Sequence, residues 1–495
     1  MDQPLKIATV ASEIDPFSKA GGLADVARSL PKALKKLGHD VIAITPLYGT
    51  IDKEKFRLKK IFKDISLDIY GKSYSIDIWR DEFLKELPVY FIDHKEFFSS
   101  QKCIYGAEND NERFLLFDLA VLKLLHILHF EADIIHLHDW QTGLIPYFLR
   151  KEEGNSFLKN TATVFTIHNL VFQMGSNWWQ IPNKKKDNGR EELLSFIKKQ
   201  GIKYINFAKR GILYADIVNT VSEQYAKEAL TRKFGEDLYG ILRNKNKKDQ
   251  FFGIIDGIDY NDYNPNTDPG LVEKYSVNSL EEKLKNKLFL QDEFNLPVNP
   301  DIPLLGMATR ITEQKGFDLL QEIIIPLLRI DLQLVILGGG EKQYEDFFSE
   351  VAKKHPKKIS GHFKFVDTKK TTQLYAGTDM FLMPSRFEPC GMGQLISLRY
   401  GSVPIVRATG GLVDTITDFN PKTGYGNGFI FKQYDSRNLL VAIVRALETY
   451  KYKEAWKQLV KNGMRQSFSW EIPAKKYITL FHRALAAREE EKKKM

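Results

Sequence analysis

Cysteine is scarce: the chain has two in 495 residues, Cys103 and Cys390. Two thiols build no disulfide framework and fit a reducing compartment. Long apolar runs are missing too. No stretch of 18 apolar residues exists, so no transmembrane helix is expected. The opening residues, MDQPLKIATVAS, lack a basic segment followed by a long apolar one. No secretory signal is expected there, and the protein reads as cytoplasmic. The GxGxxG dinucleotide fingerprint is absent, which weakens any oxidoreductase reading. So is any nucleic-acid motif, although 72 Lys and Arg against 63 Asp and Glu leave a net charge of +9. The surplus sits in lysine clusters at 184–186, 245–248 and 492–494, which read as loops and a terminus. Part of it fits a small anionic substrate. Neither a nucleic-acid nor a membrane partner is expected.

What is present is globular. Hydrophobic residues make up 43% and charged residues 27%, and the length calls for two or three domains. Residues 385–415, SRFEPCGMGQLISLRYGSVPIVRATGGLVDT, organise the rest. An apolar run at 380–383 ends at Pro384, and a compact loop with Arg386, Glu388, Pro389, Cys390 and Gly391 follows. A helical pattern spans 393–400 and stops at Gly401. A second buried strand at 403–406 then leads to Gly410-Gly411. Each strand-to-helix turn opens a helix N-terminus, and in a parallel sheet both fall at the carboxyl edge, where ligands bind. Free N–H groups there suit phosphate. Glu388, inside that anion-friendly turn, is either a cap or a group aimed at a neutral, hydroxylated part of a ligand.

The N-terminal half repeats the plan. Apolar runs at 6–12, 41–45, 133–136, 163–166 and 217–220 predict strands, with helical spacing near 23–34, interrupted at Pro31, and at 114–130. Residues 51–110 read as mixed strands and loops. Polar groups recur at strand carboxyl ends: Lys19, Asp139, His168, Asn169 and Ser222. Any one could be a cap, the reading favoured for Ser222; several at one sheet edge make the wall of a binding site. Residues 176–200 read as a mobile surface insertion whose Trp178-Trp179 pair is a loop anchor or a sugar-stacking surface. The pattern resets near 253–262, a turn-rich hinge, and a helical segment is expected at 280–294. New strands are predicted at 304–309, 332–337, 361–366, 380–383, 405–407 and 428–431. Arg310 and Lys315, five apart around a strand-to-helix turn, can converge on a diphosphate, one as a fork and one as a point charge. The final segment has helical spacing, with its last charges expected to fray.

Together these residues resemble the bacterial glycogen synthases and plant starch synthases, glycosyltransferase family 5. The resemblance runs almost end to end. It is carried by Lys19-x-Gly21-Gly22-Leu23, His138-Asp139-Trp140, Ile167-His168-Asn169 and the run 215–222. In the second half it is carried by Arg310 with Gln314-Lys315-Gly316, residues 385–394, and Gly410-Gly411-Leu412-x-Asp414-Thr415. Ile396 stands where related glycosyltransferases often carry a second Glu; family 5 members commonly lack that Glu, so the position favours family 5 over its relatives. Two details depart from the family's usual pattern. Residues 172–175 read Phe-Gln-Met-Gly rather than Tyr-Gln-Gly, and Asp256 precedes Gly257 where Asn is usual.

The resemblance implies an α/β GT-B fold, two Rossmann-like doubly wound domains facing across a cleft. The boundaries expected are 1–252 on the acceptor side, 253–468 on the nucleotide-sugar side, and a helix at 469–495 packing back on the first domain. It implies glucosyl transfer from ADP-glucose to the non-reducing 4-hydroxyl of an α-1,4-glucan, with retention of configuration and with no metal or cofactor. Arg310 and Lys315 would neutralise the diphosphate. Glu388 would grip the glucose hydroxyls, His168 would sit against the sugar, and Asp139 would orient hydroxyls. Lys19, Gly21, Gly22, Asn169, Arg386, Cys390, Gly391, Gly410, Gly411 and Leu412 complete the expected binding set, with Cys390 read as a packed loop residue rather than a nucleophile. A UDP-glucose enzyme of the same fold and a catalytically weak glucan-binding partner are the alternatives.

Overall fold

The computed structural model describes residues 3–151, 156–175, 178–364 and 367–494. The chain divides into two compact units, one of residues up to Ile254 together with Trp470 onward, the other Ile255–Ser469. Each is built on a largely parallel sheet with helices between its strands.

Among the described residues the first unit has nine strands: β1 Lys6–Val10, β2 Asp40–Pro46, β3 Lys59–Ile69, β4 Lys72–Arg80, β5 Val89–Asp93, β6 Ile134–His138, β7 Ala162–Ile167, β8 Ile217–Thr220 and β9 Phe251–Gly253. Their order is β3-β4-β5-β2-β1-β6-β7-β8-β9. From β5 to β9 all pairings are parallel. β5, β6, β7 and β8 are buried along their whole length, as strands covered by helices on both faces must be. β3 and β4 are different. They form an antiparallel hairpin at the sheet edge, turned at Tyr70-Gly71 with φ of 53° and 84°, the left-handed pair a two-residue hairpin loop requires. Its mostly exposed face explains why residues 51–110 show no clean apolar runs.

The second unit has six strands among its described residues, β10 Leu304–Ala308, β11 Gln333–Leu337, β12 Ile359–His362, β13 Met380–Met383, β14 Val403–Arg407 and β15 Phe429–Phe431. The order is β12-β11-β10-β13-β14-β15, all parallel. β12 ends at His362, earlier than the 361–366 expected; Phe365 and Val366 lie outside the described residues.

Other differences have local causes. The helix Gly22–Lys36 runs through Pro31 without a break. The helix Glu471–Lys494 reaches the terminal lysines instead of fraying. Lys492 Nζ bonds Asn160 Oδ1 at 2.6 Å, and Arg488 Nη2 bonds the Lys159 carbonyl at 3.0 Å. Both partners lie in the loop before β7. The described part of 176–200 is tied down, not loose. Within it Asp187 forms a fully buried ion pair with Arg210 at 2.8 Å. Trp178 is buried, its Nε1 donating to Asp237 at 3.0 Å, whereas Trp179 is 62% exposed. The pair therefore splits into one anchor and one surface ring. No helix of the described residues is long and apolar enough to cross a membrane.

Candidate active site

Each sheet has one topological switch point, between β1 and β6 in the first unit and between β10 and β13 in the second. Connections leave in opposite directions there, opening a crevice at the strand carboxyl ends. The residues singled out from sequence lie at these two places and at the strand ends beside them.

In the first unit the loop after β1 delivers Lys19, Gly21 and Gly22, all exposed. Gly21 is the N-cap of the helix Gly22–Lys36, and no side chain caps it, so first-turn N–H groups stay available. Lys19 Nζ pairs with Asp25 at 2.6 Å. Glu13, which sequence reading passed over, braces this loop. Its carboxylate is buried and accepts the backbone N–H groups of Ala20 and Gly21. Burial pushes it up to about 7 despite those bonds.

At the end of β6, Asp139 has φ 61° and ψ 176°, a backbone region nearly reserved for glycine. Strain of this kind costs on the order of 1–3 kcal/mol and persists where surroundings over-determine it. Here the Asp139 carboxylate accepts the His168 backbone N–H at 2.8 Å and Gln173 Nε2 at 2.7 Å. Burial raises this carboxyl to about 7. His168, at the end of β7, is half-buried, and its Nε2 lies 3.0 Å from His138 Nδ1. Burial lowers His168 to about 3, so its ring is neutral near pH 7. Asn169 uses its Oδ1 to accept the Val171 N–H at 3.2 Å, starting the next turn. Ser222 is a cap, as read: its Oγ accepts the Tyr225 N–H at 3.0 Å.

The second unit's switch point joins two loops. Arg386 N donates to the Gln314 carbonyl at 2.8 Å, and Lys315 Nζ meets Glu388 Oε2 at 2.6 Å across them. Ser385 Oγ adds a bond to the same oxygen at 3.0 Å. Glu388 thus caps no helix; its carboxylate is a buried partner of Lys315. Arg310 is exposed beside them, its Nη2 3.4 Å from Gln314 Oε1. Arg386 points to Glu313 at 2.5 Å and lies over the Tyr434 ring. Arg407, at the end of β14, was not foreseen. Its Nε donates to the Ser385 carbonyl at 2.7 Å and its Nη2 to the Arg386 carbonyl, gripping the loop just before Glu388.

Two glycines make the close approach possible. Gly316 has φ 81°, and a Cβ there would stand 2.3 Å from the Pro384 carbonyl oxygen. Gly410 has φ 46°, and its Cβ would fall 1.9 Å from the Glu388 carbonyl oxygen. Gly411 N donates to that same carbonyl at 3.1 Å, while Gly391 adopts φ 75°. Leu412 is fully buried with Leu398, Val406 and Ile416, and its N–H bonds the Thr409 carbonyl. Its side chain therefore shapes the loop from beneath. Cys390 is buried against Asp256. Burial pushes its thiol well above the usual range, and the Asp256 carboxyl up to about 8. A thiol held protonated is a poor nucleophile. Among the described residues no group of three or more His, Cys, Asp or Glu is placed to hold a metal ion.

The family model described as starch synthase catalytic domain matches residues 6–244, and that of glycosyl transferases group 1 matches 290–463. The chain is 44% identical to the glycogen synthase of Desulforudis audaxviator, covering 99% of both chains. It is 40% identical to that of Thermotoga maritima, over 97% of this chain and 99% of the relative. Among solved structures it resembles the catalytic domain of starch synthase IV from Arabidopsis thaliana, described as bound to ADP and acarbose. The TM-score is 0.87 with 32% identity, over 98% of this chain and 100% of the other. Sucrose-phosphate synthase from Thermosynechococcus elongatus, at 18% identity and a TM-score of 0.60, shares the fold alone. Two Rossmann-like units of GT-B type, with these motifs at their switch points and relatives matched end to end, place the chain in the glycogen and starch synthase family of glycosyltransferases.

Proposed function

We propose that the protein is a cytoplasmic α-1,4-glucan synthase that transfers glucose from ADP-glucose to the non-reducing 4-hydroxyl of a glycogen or maltooligosaccharide chain, with retention of configuration. The observation that carries the reading is the Lys315–Glu388 pair at 2.6 Å, at the second unit's switch point. It is a cation for a phosphate set beside a carboxylate for sugar hydroxyls. The likeness to a starch synthase described with ADP bound supports an adenine nucleotide.

In this reading the second unit holds the nucleotide sugar. Arg310 and Lys315 neutralise the diphosphate as the bond from the anomeric carbon to the phosphate oxygen breaks. Preorganised charge aimed at a developing anion is usually the largest catalytic effect, and losing one such donor costs about 3 kcal/mol, on the order of a hundredfold in rate. Glu388, oriented by Ser385 and Lys315, accepts hydrogen bonds from glucose hydroxyls and stabilises the electron-poor ring. Arg386, Cys390, Gly391, Gly410, Gly411 and Leu412 shape the loops that present these groups. The first unit serves the glucosyl group and acceptor. Its Gly21-Gly22 helix start offers N–H groups to phosphate, with Lys19 beside it, and Asp139, His168 and Asn169 address sugar hydroxyls. The acceptor's 4-oxygen attacks the anomeric carbon from the face the phosphate leaves, and its proton passes to the departing phosphate oxygen. ADP and a glucan longer by one residue result. This front-face route needs no protein nucleophile.

The test is ADP release from ADP-glucose with glycogen present, for the wild type and Glu388→Ala, with UDP-glucose alongside. Glucan-dependent release that the substitution abolishes, and that is much weaker with UDP-glucose, is the expected result. No glucan-dependent turnover with either donor overturns the proposal.

A further inference from the structure

We infer that His138 is a positioning residue: it donates Nδ1–H to His168 Nε2 and so holds His168 as its Nδ1–H tautomer with a fixed ring. The inference rests on the reading of His168 as a substrate-facing group. His138 itself lies fully buried in β6 and meets no substrate.

The hydrogen bonds around these rings fix where each proton sits. Asn219 Nδ2 donates to the Tyr477 hydroxyl at 3.2 Å, so its Oδ1 faces Thr166 Oγ1 at 2.7 Å and accepts that hydroxyl's only proton. Thr166 Oγ1 must then accept from its other partner, His136 Nε2, 2.7 Å away. His136 is therefore the Nε2–H tautomer. Its Nδ1 is then a lone pair, buried and with no partner among the described residues. His138 comes next, its ring centroid 4.2 Å from that of His136. Its Nε2 is also buried, with no partner among the described residues. Only Nδ1 is engaged, with His168 Nε2 at 3.0 Å.

Two proton placements fit that contact. If His168 Nε2 carried the proton, His138 would hold its own on Nε2, leaving a donor orphaned in the core. If His138 Nδ1 carries it, the orphan is a lone pair. Buried unpaired N–H groups are the rarer of the two, because nothing offsets their desolvation. The second placement wins, and every orphan atom in the histidine series becomes an acceptor. His168 is then left with its proton on Nδ1, and among the described residues nothing in the chain bonds that nitrogen. The ring can give a hydrogen bond to a sugar hydroxyl but cannot take a proton from one. Burial holds all three rings below their ordinary range, so none supplies a second proton to blur this pattern near neutrality.

Nitrogen NMR of the full chain with labelled histidine reads the tautomer directly. The expected spectrum assigns His168, identified by its loss in His168→Gln, a protonated Nδ1 and an unprotonated Nε2 at neutral pH. A protonated Nε2, or a doubly protonated ring, overturns the inference. Kinetics test the positioning role. His138→Leu removes the donor, and turnover is expected to fall about tenfold with little change in the KM for ADP-glucose, the size of one lost orienting hydrogen bond. His138→Asn, which sets an amide N–H near the old Nδ1, is expected to restore most of it. Equal rates for the two variants, or an unchanged leucine variant, overturn the role. If the leucine variant does not fold, the wild-type spectrum and the asparagine variant decide. A wild type without glucan-dependent turnover would instead mark failure of the proposed function, while the spectrum would still judge the tautomer.

Discussion

The two switch points handle charge in opposite ways. At β10 and β13 a cation and an anion are taken out of water together and face each other, Lys315 against Glu388, with Ser385 on the same oxygen. At β1 and β6 the buried groups are pushed toward neutrality. Glu13 and Asp139 rise to about 7, and His138 and His168 fall below the usual histidine range. Both are answers to the same cost, that of burying an unpaired charge. An edge kept charged suits a ligand with charge of its own. An edge kept neutral suits hydroxyl groups, which need oriented donors and acceptors rather than a field. The proposed roles follow that contrast: Arg310 and Lys315 of the second unit take the diphosphate charge with Glu388 turned to glucose hydroxyls, while the buried polar groups of the first unit, Asp139 and His168, address hydroxyls alone.

The largest effect is expected in a double-mutant cycle on the charged edge. Glu388→Gln and Lys315→Met should each lower kcat/KM for glucan-dependent ADP release by on the order of a hundredfold or more. Each single change also strands the other charge without its partner, a penalty the double variant escapes. The double variant should therefore lose much less than the product of the two single losses. Losses that simply multiply would mean the two side chains work independently, and the second unit would no longer contrast with the first.

A smaller effect is expected at Arg407. It holds the carbonyls of Ser385 and Arg386, the two residues at the start of the loop that carries Glu388. Arg407→Met leaves the buried Ser385 carbonyl and the partly buried Arg386 carbonyl without their guanidinium donor, a cost of about 2 kcal/mol. If the loop's geometry is what sets Glu388, most of that cost should appear as a roughly thirtyfold fall in kcat. If it appears only as a lower unfolding temperature with kcat intact, the ion pair alone places Glu388.

These residues also show where sequence stops being informative. The central strands were legible because helices cover both their faces, leaving apolar runs such as β13, Met380–Met383, and β8, Ile217–Thr220, whose limits coincide with those expected. The β3–β4 hairpin was not, since its exposed face carries no such run. At the sites, motifs placed the residues but not their partners. Glu388 could be read as a cap or as a ligand group until Lys315, 73 positions away, was seen against it. Arg407 looked like the end of a strand, because its grip on the Ser385 loop spans 22 positions. Glu13 lies near Lys19 in the chain and still left no signal, since a carboxylate folded back onto Ala20 has no periodicity to betray it. Trp178 and Trp179, adjacent and identical in type, differ only in the burial that the fold assigns them.

The finest test concerns the neutral edge and is read as stability rather than rate. Asp139 titrates near 7 in the folded protein, against about 3.9 for a free Asp side chain. Between those values the folded state holds a proton that the unfolded state has lost, so acidification through this window stabilises the fold. Above about pH 7 the carboxylate must be buried charged, and that stabilisation is gone. Asp139→Asn keeps an acceptor for the His168 N–H and for Gln173 but has no proton to exchange. Compared with the wild type, the variant should stand highest at pH 8 and lose that relative advantage by pH 5.5. Over that range the difference should change by about 1–2 kcal/mol, or roughly 2–4 °C in unfolding temperature. Glu13 and the buried histidines also make the wild-type curve depend on pH. They are common to both proteins, so they largely cancel in the difference. Scanning calorimetry of both proteins across that range supplies the measurement. A difference that stays flat with pH would mean Asp139 is ionised throughout, and the first switch point would then carry buried charge just as the second does.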